Sequence, residues 1–260
     1  MKDFNFVNFD ASSQSIEDIP PRTGDITKIH IKEKLKQIDI SLESDISLGE
    51  FDQIGEFTAK KARGEESEHF KNVGAFFRPN YERGILIHSL IRKFNIKSYL
   101  EIGFGRGYSC LCAARAMAQN GGGRVATVDP ALDEKFLEQL TSIFPAEWFK
   151  LIEFYKSTSA EMLGRVKDRF DFIYIDGDHT YPGVKTDWDL TKDRYNKFLL
   201  FDDYHMPEIV QKDISCANLI DSIEDKSKEL IIMDRRIFFD DRRIPDDEIK
   251  YGQVLLTREE

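Results

Sequence analysis

Apolar residues recur along this chain at two different spacings, and the change between them divides it near residue 76. Before that point, apolar residues repeat at helical spacing over residues 29–42, and a second helix is predicted over residues 48–62. Residues 1–27 show no periodicity and predict an irregular arm. We expect residues 1–75 to form an arm and a helical cap that covers a site or contacts another subunit, because this segment is too polar to fold alone.

From residue 76 onward, short apolar runs alternate with amphipathic segments, which is typical of a mainly parallel sheet flanked by helices. Two more apolar runs near the end of the chain are expected to close the sheet as an antiparallel edge pair. The pattern predicts that residues 76–260 form one Rossmann-like α/β sandwich with seven strands. The predicted strands cover residues 98–102, 124–128, 149–155, 170–175, 198–201, 230–233 and 253–256, and the predicted helices cover 82–94, 108–120, 132–144 and 184–191.

Composition and charge narrow the function classes. With 41% hydrophobic and 12% aromatic residues, the chain has enough apolar side chains for a core. A formal net charge of -10 argues against a nucleic-acid binder, which needs a positive field. No apolar run approaches the roughly 20 residues that span a bilayer, and the first residues lack a secretion signal, so no membrane association is expected. Cys110, Cys112 and Cys216 are interpreted as buried thiols in a cytoplasmic protein.

A glycine-rich turn follows the strand at residues 98–102. Its sequence, GFGRG, places Gly103, Gly105 and Gly107 between this strand and the next helix, with Glu101 two residues before the first glycine. Glycine allows the backbone to approach a ligand closely, and the free N–H groups of the following helix favour an anionic group. The dinucleotide fingerprint GxGxxG has one more residue before its last glycine. A tight turn without a ligand remains the alternative.

Asp129 strengthens the cofactor interpretation. It follows the next strand, where an acidic side chain meets ribose hydroxyls in nucleoside-binding Rossmann folds. One acid for a ribose and one helix N-terminus for an amino-acid carboxylate suit S-adenosylmethionine (SAM), although a surface turn before proline explains Asp129 equally simply. The candidate cofactor residues also include Tyr108 and Ser109, which begin the helix after the glycines, and Ser159, which follows the third strand and could instead belong to a helix cap.

The run from Glu101 to Gly107 resembles motif I of class I SAM-dependent methyltransferases. The sequence FIYIDGDHTY at residues 172–181, followed by LFDDY at residues 200–204, resembles a narrower group, the macrocin-type and other sugar O-methyltransferases. The resemblance covers residues 81–204 and does not include the N-terminal segment. It implies the class I methyltransferase sandwich and methyl transfer to a hydroxyl of a small polar acceptor, such as a sugar or a sugar nucleotide.

The resemblance also implies a divalent ion, Mg²⁺ or alternatively Mn²⁺ or Ca²⁺, held by Asp176, Asp202 and Asp203. Physical reasoning agrees, because adjacent parallel strands end on the same edge of a sheet and three crowded carboxylates repel one another unless a cation neutralises them. Carboxylate oxygens select these hard ions. Acids that simply end strands as solvated turns are the alternative.

His179 is the preferred general base, because imidazole titrates near neutrality, and Asp178 competes for that role. Two other functions stay open: a nicotinamide-dependent oxidoreductase, against which the glycine spacing and the three acids count, and a catalytically silent SAM-fold partner protein. A homo-oligomer is also compatible with the N-terminal segment.

Overall fold

Eight strands form one sheet in the computed structural model, which describes residues 19–38, 81–207, 215–225, 227–233 and 251–258. Their order is β1-β7-β8-β6-β5-β2-β3-β4, and every neighbouring pair is parallel except those of β8, which runs against both β6 and β7. The strands are β1 Thr27–His30, β2 Ser98–Ile102, β3 Arg124–Val128, β4 Ile152–Tyr155, β5 Phe170–Ile175, β6 Tyr195–His205, β7 Glu229–Ile232 and β8 Tyr251–Thr257.

Successive side chains of each strand point to opposite sides of the sheet, and both sides carry apolar residues. Helices cover both faces of the sheet and bury these residues. Tyr99 and Phe172 pack into one apolar cluster with Leu86 and Leu111, whereas Leu100 belongs to a second cluster on the other face. The helices that the structure describes are α1 Ile31–Gln37, α2 Tyr81–Lys93, α3 Tyr108–Gln119, α4 Glu134–Ile143, α5 Ala146–Phe149, α6 Ser159–Arg165, α7 Tyr181–Thr191 and α8 Cys216–Ser222.

The predicted fold class is confirmed, and three strands have the predicted bounds: β2, β3 and β5. The antiparallel strand lies inside the sheet rather than at its edge, since β8 is inserted between β6 and β7. The residues 149–151 that were predicted to begin a strand instead end the short helix α5 and the turn after it.

The N-terminal segment contributes an eighth strand that the periodicity did not predict. Thr27–His30 pairs with Glu229–Ile232, so the predicted helix begins at Ile31 instead of residue 29. Tertiary strand pairing has overridden the helical spacing here. The predicted helix over residues 48–62 lies outside the described part of the chain, and the cap stays a prediction. Among the described residues, no helix is long and apolar enough to cross a membrane.

Candidate active site

The glycine loop joins β2 to α3 and touches the turn that follows β5. Gly103 has a φ of 93°, and a Cβ built on it would collide with the carbonyl oxygen of Asp176. A hydrogen bond from the Asp176 amide to the Ile102 carbonyl, at 2.8 Å, holds the two turns together. Only glycine fits this approach, so position 103 brings the predicted cofactor loop against the first predicted acid.

A cavity of about 430 Å³ opens beside this loop, a size in the range of small-molecule sites. Gly105, with a φ of 52°, faces open space, since no atom lies within 4 Å of a Cβ built on it. Asp129 also lines the cavity and supports the loop. Its carboxylate accepts hydrogen bonds from the amides of Phe104 and Gly105, both at 3.0 Å, and from Ala131 at 2.7 Å. A carboxylate has about four acceptor positions, so one remains for a ligand hydroxyl. The lining residues are Phe104, Gly105, Arg106, Asp129, Ala131, Leu132, Asp133, Lys135, Phe136 and Gln139.

Of the eight predicted cofactor residues, Gly105 and Asp129 line this cavity and the other six do not. Glu101 is fully buried and accepts a hydrogen bond from the Tyr99 hydroxyl at 2.9 Å and another from Ser109. Burial raises the pKa of Glu101 to about 8, although these hydrogen bonds oppose the shift. Tyr108 packs against Gly84 of α2 and interacts with the Cys112 thiol. The first turn of α3 aims the Tyr108 ring at α2 and away from this cavity, and its role in cofactor binding stays a prediction.

Gly107 and Ser159 contact other residues of the protein rather than the cavity. A Cβ on Gly107, whose φ is 77°, would press into the Phe104 ring. The hydroxyl of Ser159 donates to the buried carboxylate of Asp187 on α7. Its neighbour Thr158 forms a capping box with Glu161, so the alternative of a helix cap is the one observed at the start of α6.

The three predicted acids converge at the ends of β5 and β6, as the parallel topology led us to expect. Consecutive strand residues normally point to opposite faces, which would separate Asp202 from Asp203. A bulge interrupts the β6–β8 register between Phe201 and Tyr204, and Asp203 has a φ of 53°, which is rare outside glycine. The bulge lets Asp202 face the β8 side while Asp203 faces the turn after β5. We call Asp176, Asp202 and Asp203 the acid cluster.

A cation from outside the predicted site lies within the acid cluster. The guanidinium of Arg83, on α2, forms an ion pair with Asp202, lies 3.1 Å from Asp203 Oδ1 and 4.0 Å from Asp176 Oδ2. It also donates to the Tyr251 hydroxyl. Burial alone would lower the pKa of Arg83, but the Asp202 carboxylate and the other acids raise it. Arg83 therefore remains charged and neutralises part of the cluster.

Asp202 is the most enclosed of the three acids, with a side chain only 1% exposed. Besides Arg83, it accepts hydrogen bonds from the hydroxyls of Tyr174 at 2.7 Å and Tyr251 at 2.8 Å, and Gln253 Nε2 lies at 3.4 Å. Both of its oxygens are engaged by these groups. Asp202 therefore serves a buried hydrogen-bond network rather than facing the open side of the cluster.

Asp176, Asp203 and His179 form the group whose ligand atoms lie within 4.8 Å of one another. His179 Nδ1 is 3.0 Å from Asp203 Oδ2, and the histidine side chain is 40% exposed. Burial, and next the charge of Asp202, raise the pKa values of Asp176 and Asp203, which shows that both carboxylates lack full compensation for their charge.

Asp178, the competing candidate base, is tied into the turn that begins α7. Its carboxylate accepts a hydrogen bond from the Thr180 amide at 2.9 Å and packs against Gly183, where a Cβ would collide with it. Of the two candidates, only His179 contacts the acid cluster in the described structure.

Sequence reasoning missed Arg83 and the β8 residues Tyr251 and Gln253. Arg83 lies four residues before Ile87 and seven before Leu90, both fully or almost fully buried, so it occupies the core-facing stripe of an amphipathic helix. A charged residue on that stripe signals a buried ion pair. The sequence carries no comparable signal for Tyr251 and Gln253, whose role depends on β8 lying next to β6.

Comparisons with known proteins agree with this architecture. Residues 100–204 match a family model described as a methyltransferase domain. No curated protein sequence matches the chain. The structure is similar to the O-methyltransferase from Bacillus cereus in complex with SAH, with a TM-score of 0.53 and 17% identity over 83% of this chain and 94% of that one.

Two further solved structures have the same fold. One is the O-methyltransferase TomG from Streptomyces achromogenes, involved in tomaymycin synthesis and solved with SAM; it is 16% identical over 77% of this chain and 86% of that one, with a TM-score of 0.50. The other is a candidate caffeoyl-CoA O-methyltransferase from Staphylococcus aureus, 16% identical over 78% of this chain and 98% of that one, with a TM-score of 0.52. Residues 100–204 therefore match a methyltransferase domain, and the described structure has the fold of these solved O-methyltransferases.

Proposed function

We propose that the chain transfers the methyl group of SAM to a hydroxyl oxygen of a small polar acceptor, such as a sugar or sugar nucleotide. The observation that carries this proposal is the contact at Gly103, which joins the loop of the cofactor cavity to Asp176 of the acid cluster. In this proposal SAM would bind at the loop and supply the methyl group, and the acceptor hydroxyl would bind near the acid cluster and His179. These groups suit the activation of a hydroxyl, because they accept its proton or bind its oxygen.

His179 is the residue that we propose to remove the hydroxyl proton. Asp203 lies on its Nδ1 side and favours the tautomer with a proton there, which leaves Nε2 as the acceptor atom. The acceptor oxygen forms a bond to the methyl carbon while the bond from that carbon to sulfur breaks, and SAH leaves. The proton passes to Nε2 of His179. Alignment of oxygen, methyl carbon and sulfur is the main contribution of the protein to such a displacement.

A divalent ion, Mg²⁺ or Mn²⁺, would be held by Asp176 and Asp203, with His179 as either a third ligand or the free base. The donor chemistry fits, because two carboxylate oxygens and an imidazole nitrogen within 4.8 Å match the ligands of these ions. Such an ion would lower the pKa of a bound hydroxyl. Asp202 is the least suited of the three predicted ligands, since its oxygens already accept four hydrogen bonds and form an ion pair.

The N-terminal arm is the part of the chain that we propose to border the acceptor site. Arg22 donates to the carbonyl of His205, at the end of β6, and its Nε lies 2.8 Å from Asp221 Oδ2. Asp221 also accepts from the amides of Thr23 and Gly24. Residues 22–24 are thereby fixed two positions from Asp203. We further propose a cytoplasmic location, supported by the three free and buried cysteines.

A methyl-transfer assay tests the proposed function. Labelled SAM is incubated with panels of sugars, sugar nucleotides and catechols, in EDTA, Mg²⁺ or Mn²⁺, using wild type, Asp203→Asn and the surface control Asp189→Asn. We expect transfer that depends on the ion, is lost in Asp203→Asn and is kept in the control. Binding of SAH should survive in all three proteins. Full turnover after exhaustive dialysis against EDTA would overturn the metal component and leave the transfer reaction standing.

A further inference from the structure

Arg83 lies where a cation bound to the acid cluster would lie, and the reaction proposed above gives it no role. Its side chain is 20% exposed, and its two terminal nitrogens face Asp202, Asp203 and Asp176. A guanidinium so deeply placed among carboxylates supplies the positive charge that three crowded acids require.

Asp203 is the point at which Arg83 and an ion would meet. Its Oδ1 lies 3.1 Å from Arg83 Nη2, and its Oδ2 lies 3.0 Å from His179 Nδ1. Both oxygens of this carboxylate are therefore engaged. An ion that binds Asp203 must therefore either share this carboxylate with the guanidinium, whose positive charge opposes it, or take the place of the guanidinium.

Arg83 can keep its ion pair with Asp202 while it releases Asp203. The ion pair with Asp202 is almost completely enclosed, and Tyr251 donates to Asp202 at 2.8 Å while accepting a hydrogen bond from Arg83. The Tyr251 ring also lies 5.3 Å from the guanidinium carbon. Leaving Asp202 unpaired would bury an uncompensated charge, so exchange at Asp203 is the less costly movement.

We infer that Arg83 is the resident counter-ion of the acid cluster and competes with the divalent ion for Asp203, so that the ion loads by exchange and binds more weakly than to the acids alone. Arg83 is thus a positioning residue that tunes metal affinity. The inference rests on the metal component of the proposed function, and binding of Mn²⁺ tests it without any acceptor.

The experiment is a titration of Mn²⁺ in which free ion is measured by electron paramagnetic resonance, with SAH present and absent. Wild type is compared with Arg83→Met, with the charge-conserving Arg83→Lys, and with Arg92→Met, which removes an exposed arginine from the same helix. We expect Arg83→Met to bind Mn²⁺ about 10- to 100-fold more tightly, because a unit charge a few ångströms away no longer opposes the ion. Arg83→Lys and Arg92→Met should stay close to wild type. Adding Asp203→Asn to Arg83→Met should abolish the gain, which would assign the bound ion to the cluster.

Each other outcome counts against the inference. Equal or weaker Mn²⁺ binding by Arg83→Met than by wild type would overturn it while leaving the metal component intact. Absence of Mn²⁺ binding in every variant would overturn both, whereas SAH affinity reports separately on the cofactor site. Circular dichroism and the melting temperature check that each variant folds, and Arg83→Gln replaces Arg83→Met if the methionine variant does not.

Discussion

The glycine loop, residues 103–107, and the acid cluster lie side by side at one edge of the sheet, yet they are held in different ways. The loop is fixed by backbone groups of segments close in sequence, through the Gly103 amide on Val128 and the Asp129 carboxylate on two loop amides. The acid cluster is fixed by side chains from distant parts of the chain, including Arg83 on α2 and Tyr251 on β8. We therefore expect side chains added at the loop glycines to disrupt the loop. We expect substitutions that change a charge to disrupt the acid cluster.

The largest expected effect belongs to His179, which contacts the acid cluster at Asp203. His179→Ala should slow methyl transfer by about 10²- to 10⁴-fold, the usual cost of losing a general base. SAH affinity should not change, because the imidazole lies on Asp203 and not on the loop. Single-turnover kinetics with saturating SAM measures the rate, and Asp178→Asn is the comparison. Equal losses in both variants would show that the turn as a whole, rather than the imidazole, supports transfer.

Gly105→Val is the corresponding test of the glycine loop. The new side chain would extend into the cavity, so SAH binding should weaken at least about 100-fold, or roughly 2.7 kcal/mol. Valine at a positive φ also strains the backbone, and Gly121→Val supplies the matched control, since Gly121 has a φ of 80° and equally open surroundings. Isothermal titration with SAH compares the two. If the control loses as much affinity, strain and not occupation of the cavity is the cause.

The contrast explains which parts of the site the sequence could predict. The glycine loop depends on neighbours in the chain, so its glycines and Asp129 could be assigned from a strand, a turn and the next strand. The convergence of Asp176 with Asp202 and Asp203 followed from parallel strands ending on one edge. These predictions need only the local sequence pattern and the parallel direction of the strands.

The remaining features depend on tertiary structure. The bulge at Asp203 arises where β6 pairs with β8, and β8 lies inside the sheet only because the end of the chain returns between two earlier strands. Arg83 reaches the cluster across a helix-to-sheet contact, and the helical periodicity shows only that it faces the core, not which acids it meets. The strand at Thr27–His30 likewise exists because β7 offers it an edge. Pairing choices of this kind override local preference.

Asp202→Asn tests the charge balance of the acid cluster. The two tyrosine hydroxyls donate to different oxygens of Asp202, so the amide keeps an acceptor for only one of them and removes the charge that pairs with Arg83. Asp203 still contacts the guanidinium, so we expect a loss of about 2 kcal/mol in the free energy of unfolding rather than the full cost of an unpaired buried charge. Urea denaturation measures it. Asp189 is a surface acid paired with Lys185 and Lys192, so Asp189→Asn should change stability little. Equal losses in the two variants would show that the buried pair of Asp202 and Arg83 stabilises the protein no more than a surface pair does.

The smallest expected effect concerns Asp187 on α7, which accepts a hydrogen bond from the Ser159 hydroxyl and lies near Gly177, the residue after Asp176. Burial raises the pKa of Asp187 from 3.8 to about 6, partly opposed by the Ser159 hydrogen bond. The folded protein therefore holds this proton more tightly than the unfolded chain, so stability falls as the pH rises from about 4 to about 6 and stays reduced above that range.

Asp187→Asn should abolish this dependence and make the protein more stable than wild type at pH 8. A shift of about two units sets an upper bound near 3 kcal/mol, and the weaker hydrogen bond from Ser159 to an amide leaves a net gain of about 1 kcal/mol. The gain should shrink as the pH falls toward 4, where Asp187 is protonated in the folded protein and about half protonated in the unfolded chain. Urea melts of both proteins from pH 4 to 8 measure it, with Asp189→Asn as a control whose pKa is shifted downward by Lys185 and Lys192. A difference that is the same at every pH would mean that Asp187 acts only through packing and not through the cost of its buried charge.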